Sequence, residues 1–383
     1  MSSANPVETG SAFEVVINKS DLLKELSITQ GVVERKSTVP ILSSFLLEAV
    51  QNHLLITATD LEVSLRTFCA AGVKSAGSCT IPARKFYEYV RLLKDGELTI
   101  KLLENHWVQI RSGRSNTKMV GMARANFPTL PLFPAHATIK LPAAVLRTMI
   151  SRTIFAICQE ESRYMLNGAL LILKPETMTM VATDGHRLAH IEAKCKTTME
   201  GEMRVLIPRK TLAEINSLLN PVEIETIDFA RDDSSLFFRI GSRLLTCRQL
   251  SGRFPNYEAV MPRDLNSSLT VSGDDLSRAI QRVSQFSDER SNAVRLKVDQ
   301  HQLRVFSSNV ETGESEEILE TVYKGDPMTM GFNARDLLDY MRVAGDQRVS
   351  FRFKAADSPG EFRPDENNAD GYDYRYIVMP LRT

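Results

Sequence analysis

The stretch Val181–His190, VATDGHRLAH, sets the reading of the rest of the chain. Apolar Val181 and Ala182 lead into Asp184-Gly185. That pair favours a turn, because glycine takes positive φ without steric cost and an aspartate side chain can hydrogen-bond the backbone just ahead of it. His186 and Arg187 then sit at the turn, and Leu188 restarts an apolar run. Alone, Thr-Asp-Gly-His-Arg has two readings: a β-hairpin corner with exposed polar side chains, or a catalytic cluster. Other copies of the stretch bear on the choice.

There are two such copies. Thr57-Ala-Thr-Asp60 precedes it and Phe306-Ser-Ser-Asn309 follows it, at a period of about 125 residues. A second marker, Ile81-Pro-Ala-Arg-Lys-Phe86, returns as Ile207-Pro-Arg-Lys-Thr-Leu212 and as Phe332-Asn-Ala-Arg-Asp-Leu337 with the same period. Each copy opens on a short alternating strand (Phe13–Ile17, Thr138–Leu141, Ser268–Val271) followed by an amphipathic helix. In the third copy Leu276, Ala279, Ile280 and Val283 keep the i, i+3, i+4, i+7 spacing of a buried face behind a polar Ser272-Gly273-Asp274 start. Further strands follow, such as Leu46–Val50, Leu54–Ala58 and Ser64–Phe68. A Pro or Asn then opens a second helix, and strands such as Leu98–Leu102 and Val108–Arg111 end the copy. Runs of strands without regular β-α-β alternation predict an α+β fold with antiparallel sheets, two helices and about eight strands per copy. Turn-rich Pro131–Pro134 and Pro262–Asn266 divide the chain into domains at 13–135, 136–265 and 266–383, behind a disordered tail at 1–12. Asp357–Asp373 is acidic and rich in Pro, Gly and Asn, and reads as a long loop between two terminal strands.

The 383 residues exceed one ordinary core. Apolar and charged fractions of 43% and 25% are those of a soluble globular protein. Zero formal net charge rules out a whole-protein field for nucleic acid or membrane, but not a local basic patch balanced elsewhere. The five cysteines are scattered without a C-x-x-C pair, which fits neither a disulfide framework nor a zinc site and suits a reducing cytosol. No apolar run approaches the ~18 residues of a membrane span, and the first dozen residues lack the pattern of a signal peptide.

The helices carry a second pattern. After Pro82, Phe86, Tyr89, Val90 and Leu93 form the stripe expected to be buried; Arg84 and Arg91 share another face two turns apart, with Lys85 beside them and Lys94 one turn on. After Asn333, Leu337, Leu338 and Met341 are the buried set, and Arg335 and Arg342 repeat the spacing. Arg278 and Arg282 form an i, i+4 pair, Arg147 and Arg152 charge the first helix of copy two, and Arg209-Lys210 opens its second. One such face reads as solvated surface. The same bias in helices related by the repeat reads as a surface for a polyanion, with the acid set apart in Glu311–Glu320 and Asp357–Asp373. Such contacts go to phosphates and bring affinity without sequence information.

With the threefold repeat, Arg163-Tyr-Met-Leu-Asn-Gly168, Ala182-Thr-Asp-Gly-His-Arg-Leu188, Ser112-Gly-Arg-Ser115, Gly252-Arg-Phe-Pro-Asn-Tyr257, Gly331-Phe-Asn333 and Val378-Met-Pro380 in order, the chain resembles the bacterial DNA polymerase III β subunit, the sliding clamp family. The resemblance runs from Phe13 to the C-terminus. It implies a head-to-tail homodimer, a six-domain ring with helices inside and sheets outside, which encircles double-stranded DNA and serves as processivity factor of the replicative polymerase. It implies no catalytic residue, no metal and no cofactor. The implied partners are the polymerase catalytic subunit, a clamp loader, and repair polymerases and mismatch-repair proteins, in the cytoplasm at the nucleoid and with no membrane. It places a partner-peptide pocket between domains two and three, on Leu166, Thr183, Gly185, His186, Arg187, Leu188, Pro255, Val260, Asn333, Ile377, Val378, Met379, Pro380, Leu381 and Arg382. The aliphatic members would take Leu or Phe anchors, and Arg187 and Asn333 would orient the peptide. Ala259, Ser291 and Asp336 stand where well-studied members have Arg, Phe and Tyr, so peptide preference is expected to differ. DNA contacts are expected from Lys36, Arg84, Lys85, Arg91, Tyr164, Arg209, Lys210, Arg278, Arg282, Arg335 and Arg342; Lys36 replaces a common Arg, Met165 an aromatic residue and Glu160 a neutral amide.

Two other classes stay in view. An enzyme would use Asp184 and His186 as an acid–base pair, or His186 and His190 as metal ligands. In a strand and turn, i, i+4 does not put two histidines on one face, no third ligand follows, and Thr59-Asp60-Leu61-Glu62 shows that the turn does not need the histidine. No P-loop or G-x-G-x-x-G points to ATP use. A protein-binding repeat scaffold that does not encircle DNA predicts acidic or mixed helix faces, against the arginine-rich ones here.

Overall fold

The computed structural model describes residues 12–34, 38–134, 138–220, 224–365 and 370–381. The expected tail, Lys36 and Arg382 therefore fall wholly or almost wholly outside the described residues. Among the described residues there are six α-helices, two per repeat: α1 (Lys19–Thr29), α2 (Ala83–Leu92), α3 (Ala143–Thr153), α4 (Arg209–Leu219), α5 (Gly273–Val283) and α6 (Ala334–Ala344). The second marker starts the second helix of each repeat. Pro82, Pro208 and Asn333 each directly precede a helix, and Phe86, Leu212 and Leu337 are each fully buried. α5, a first helix, is capped by side chain and charge: the Ser272 hydroxyl accepts from the Asp275 N–H at 3.2 Å, two aspartates occupy the first turn, and Arg282 the last. Its Leu276, Ala279, Ile280 and Val283 are buried. α2 is shorter than its apolar pattern. It ends at Leu92, so Lys94 lies beyond the helix, and Tyr89 and Leu93 are half-buried while Phe86 and Val90 carry the packing.

The described chain forms two compact units, 1–144 with 213–249 and 145–212 with 250–383. In the first, a five-stranded sheet runs Gly72–Ser75, Glu14–Asn18, Glu97–Leu102, Trp107–Ser112, Ser115–Val120. An eight-stranded sheet runs Ile139–Pro142, Thr226–Arg231, Ser235–Ile240, Arg243–Arg248, Val63–Ala70, His53–Thr59, Ser44–Val50, Gly77–Pro82. In the second unit an eight-stranded sheet runs Met203–Pro208, Gly168–Leu173, Thr177–Thr183, Arg187–Lys194, Tyr372–Val378, Gly360–Pro364, Arg348–Phe353, Ser267–Ser272. A four-stranded sheet runs Gly313–Glu320, Gln302–Asn309, Ala293–Val298, Met328–Asn333. Every pairing is antiparallel, as the run-of-strands pattern requires.

One segment departs from expectation. Asp357–Asp373 is not a continuous loop: Gly360–Pro364 is a strand inside the second eight-stranded sheet, paired with Arg348–Phe353 and Tyr372–Val378. Phe362 is fully buried between Phe351 and Tyr340, and the Glu361 carboxylate, 1% exposed, accepts from Arg363 Nε at 2.6 Å and Arg375 Nε at 2.7 Å. Paired charge lets an acidic stretch enter a core.

Candidate functional site

The first two copies of the opening stretch fold as the same hairpin corner; the third is one residue longer and keeps only part of its hydrogen bonding. At Thr183–Arg187 the Thr183 hydroxyl donates to the Arg187 carbonyl (2.6 Å) and accepts from the Gly185 N–H (3.1 Å). Asp184 Oδ1 accepts from the N–H groups of His186 (2.9 Å) and Arg187 (3.1 Å). Asn309 caps the third corner by accepting from Glu311 N–H at 2.9 Å. Gly185 has φ +92°, a conformation in which a side chain is strained.

What distinguishes the middle corner is the Arg187 side chain. Its Nε donates to Asp184 (2.9 Å), Nη1 to Asp339 on α6 (2.8 Å) with Asp336 at 3.4 Å, and Nη2 to the Phe155 carbonyl (2.8 Å). The side chain is 10% exposed. Burial alone would lower its pKa, but Tyr376, the Asp339 hydrogen bond, Asp336 and Asp184 outweigh it, and the guanidinium stays charged. Asp336 shows the opposite balance: burial raises its pKa, opposed by Arg187 and reinforced by Asp184 and Asp339. Arg187 thus ties the corner to α6. Asn333 is engaged too. Its Oδ1 caps α6 at Arg335 N–H (2.9 Å) and its Nδ2 donates to Ser291 O (3.2 Å).

Beside this corner is a cleft of about 130 Å³ lined by Leu166, Thr183, Gly185, His186, Arg187, Leu188, Pro255, Asn256, Tyr257, Val260, Ile377 and Met379. That is room for roughly four waters, the scale of one aliphatic side chain. A buried cluster of Leu170, Ile172, Val181, Leu188, Leu206, Tyr257 and Ile377 supports it, with Leu250, Phe254 and Met261 packed on. Met379 N–H donates to His186 O at 2.9 Å, which holds the C-terminal segment against the corner. Ten of the residues expected for a pocket line this one cleft. Val378 does not, because it is fully buried in its strand, and neither Pro380 nor Leu381 reaches it. Asn256 and Tyr257 line it unannounced, although they stand in the Gly252–Tyr257 motif. His190 is half-buried and tilts against Tyr257 at 5.8 Å; burial lowers its pKa. Among the described residues no three His, Cys, Asp or Glu side chains are grouped to hold a metal, and no helix is long and apolar enough to cross a membrane.

The residues expected on a DNA-facing surface are exposed wherever described, Tyr164 included. Several are not bare charge. Arg84 pairs with Glu88 (2.9 Å), Arg278 with Asp274 (2.8 Å), Arg282 with Glu317 (2.6 Å) and Arg342 with Asp339 (2.9 Å). The expected separation of basic helices from acid is corrected accordingly: i, i+3 and i, i+4 carboxylates and a neighbouring strand place acid on these same faces.

A thrice-repeated α+β chain with a small apolar cleft at one corner is a binding protein built from duplicated domains. The families described as the N-terminal, central and C-terminal domains of the DNA polymerase III beta subunit match residues 13–131, 140–256 and 258–382. The beta sliding clamp of Caulobacter vibrioides is 35% identical over 96% of this chain and 100% of its own length; that of Escherichia coli is 31% identical over 96% and 99%. A crystal structure of the Pseudomonas aeruginosa DNA polymerase III subunit beta superposes with a TM-score of 0.90 at 31% identity, over 97% of this chain and all of that one. The chain belongs to the β sliding clamp family.

Proposed function

We propose that two copies close head to tail around duplex DNA, as a ring of six domains divided near 135 and 265 in each chain. The ring slides and holds the replicative polymerase by a short peptide whose apolar residue enters the cleft at Thr183–Leu188. The role is non-enzymatic: confinement raises the polymerase's local concentration at the primer end, and dissociation becomes rare without new chemistry. That cleft is the observation that carries the reading. Ring closure is supported by two sheet edges. Ser115–Val120 ends the five-stranded sheet and exposes Lys118 and Val120; Gly313–Glu320 ends the four-stranded sheet and exposes Glu314, Glu316, Ile318 and Glu320. Opposite charge and one apolar residue on each suit a heterologous contact that two-fold symmetry closes and that leaves neither edge raw. A clamp loader opens the ring, repair polymerases and mismatch-repair proteins compete for the same cleft, and the protein works in the cytoplasm at the nucleoid.

After loading on circular DNA, the protein is expected to stay bound and to be released when the circle is cut. Retention on the linear product would reject encirclement. For the cleft, Val260→Asp places a carboxylate on an exposed lining residue and is expected to weaken a fluorescent polymerase peptide about tenfold or more. Unchanged affinity would reject the assignment.

A further inference from the structure

We propose a second docking site in the groove beside the Thr59–Ser64 corner, which takes an extended protein segment with an apolar anchor flanked by lysine or arginine. Three observations lead there. First, this corner is built as the Thr183–Arg187 corner is. The Thr59 hydroxyl donates to Val63 O (3.0 Å) and accepts from Leu61 N–H (3.0 Å), and Asp60 Oδ1 accepts from the N–H groups of Glu62 (2.9 Å) and Val63 (2.7 Å). It too has an adjoining cavity, of about 490 Å³ and so larger, walled by Pro128–Pro131 much as Pro255 to Val260 wall the other.

Second, the position of Gly185 is held here by Leu61, with φ +77°. A leucine in that region is crowded. Burial does not offset the strain, since the side chain is 53% exposed and lines the groove. Glycine or asparagine would form the turn more easily. An apolar side chain held in water on a strained backbone is placed for a partner to cover.

Third, the charge differs between the two sites: the charged lining residue of the other cleft, Arg187, is already held by three carboxylates. Glu62 stands where the other corner has His186, and with Asp232 it faces only Arg248 among the charged lining residues. The floor between them is neutral and buried: Val63, Ser64, Thr246 and Cys247. An apolar side chain against Leu61 and Leu130, with a cation near Glu62 and Asp232, satisfies both features.

The test uses two fluorescein-labelled heptapeptides with the same Leu-Val-Leu centre, one flanked by lysine pairs and one by glutamate pairs, and the full-length protein. The lysine peptide is expected to bind about tenfold tighter. Leu61→Gly is expected to weaken it about fivefold while raising the Tm by about 2 °C as the strain is released. Glu62→Lys is expected to reverse the preference, and Val260→Asp in the other cleft to change nothing. Equal binding of the two peptides, no binding, or unchanged affinity in Leu61→Gly would overturn the proposal. Loss in Val260→Asp alone would put the peptide in the other cleft, which overturns this site and leaves the proposed clamp function standing.

Discussion

At Arg187 three carboxylates and a carbonyl meet one guanidinium, and each of its three nitrogens donates a hydrogen bond. Removing it strands half-buried acid. Arg187→Ala is expected to cost about 3 kcal/mol at neutral pH, read by denaturant unfolding. The pH dependence has a definite sign. Burial raises the folded-state pKa of Asp336 above 3.8, so the folded chain holds this proton more tightly than the unfolded one. Stability from this group therefore grows as pH falls from above its folded value towards 3.8. The Arg187→Ala penalty should shrink across that window; a penalty independent of pH would mean that the arginine acts by packing alone. The turn at Asp184-Gly185 was legible from local rules, because both residues act on their own backbone. The commitment of Arg187 to Asp339, which lies on another repeat, was not: nothing in a sequence tells a lone arginine from one already bound to three carboxylates.

The strand Gly360–Pro364 shows a second limit at the level of elements. Its composition is that of a loop, and its alternation carries one obvious apolar residue, Phe362. Glu361, on the opposite face of the strand, is buried as well, and three arginines from its own and neighbouring strands neutralise it. A buried ion pair is invisible to hydropathy. Phe362→Ala is expected to destabilise the protein by about 3–5 kcal/mol, a cost that no surface loop would show. The helices show the converse. Their apolar faces follow sequence spacing closely, as in α5, because burial sets the period. Their charged faces do not, because an exposed arginine pairs with any carboxylate a turn away. Such pairs add little stability, yet they compete with phosphate. Glu88→Gln, which releases Arg84, is expected to tighten DNA binding and to steepen its salt dependence by about one unit. An unchanged slope would remove Arg84 from the DNA-facing set.

For the whole molecule the edges matter most. Ile318→Asp puts a charge among the glutamates of Gly313–Glu320 and is expected to turn the dimer into a monomer in sedimentation equilibrium, with each chain still folded. A persistent dimer would place the interface elsewhere. The repeat in the sequence and the compact unit in space are also out of step. The middle copy lends Thr226–Arg231, Ser235–Ile240 and Arg243–Arg248 to a sheet continued by Val63–Ala70, and Arg187–Lys194 to one continued by Tyr372–Val378. A gene fragment cut at the repeat boundaries would hence encode a middle domain with two open sheet edges, each seeking a strand left behind on another fragment. Because the two units alternate along the chain, 1–144 with 213–249 and 145–212 with 250–383, no single cut keeps both eight-stranded sheets whole, at a repeat boundary or anywhere between.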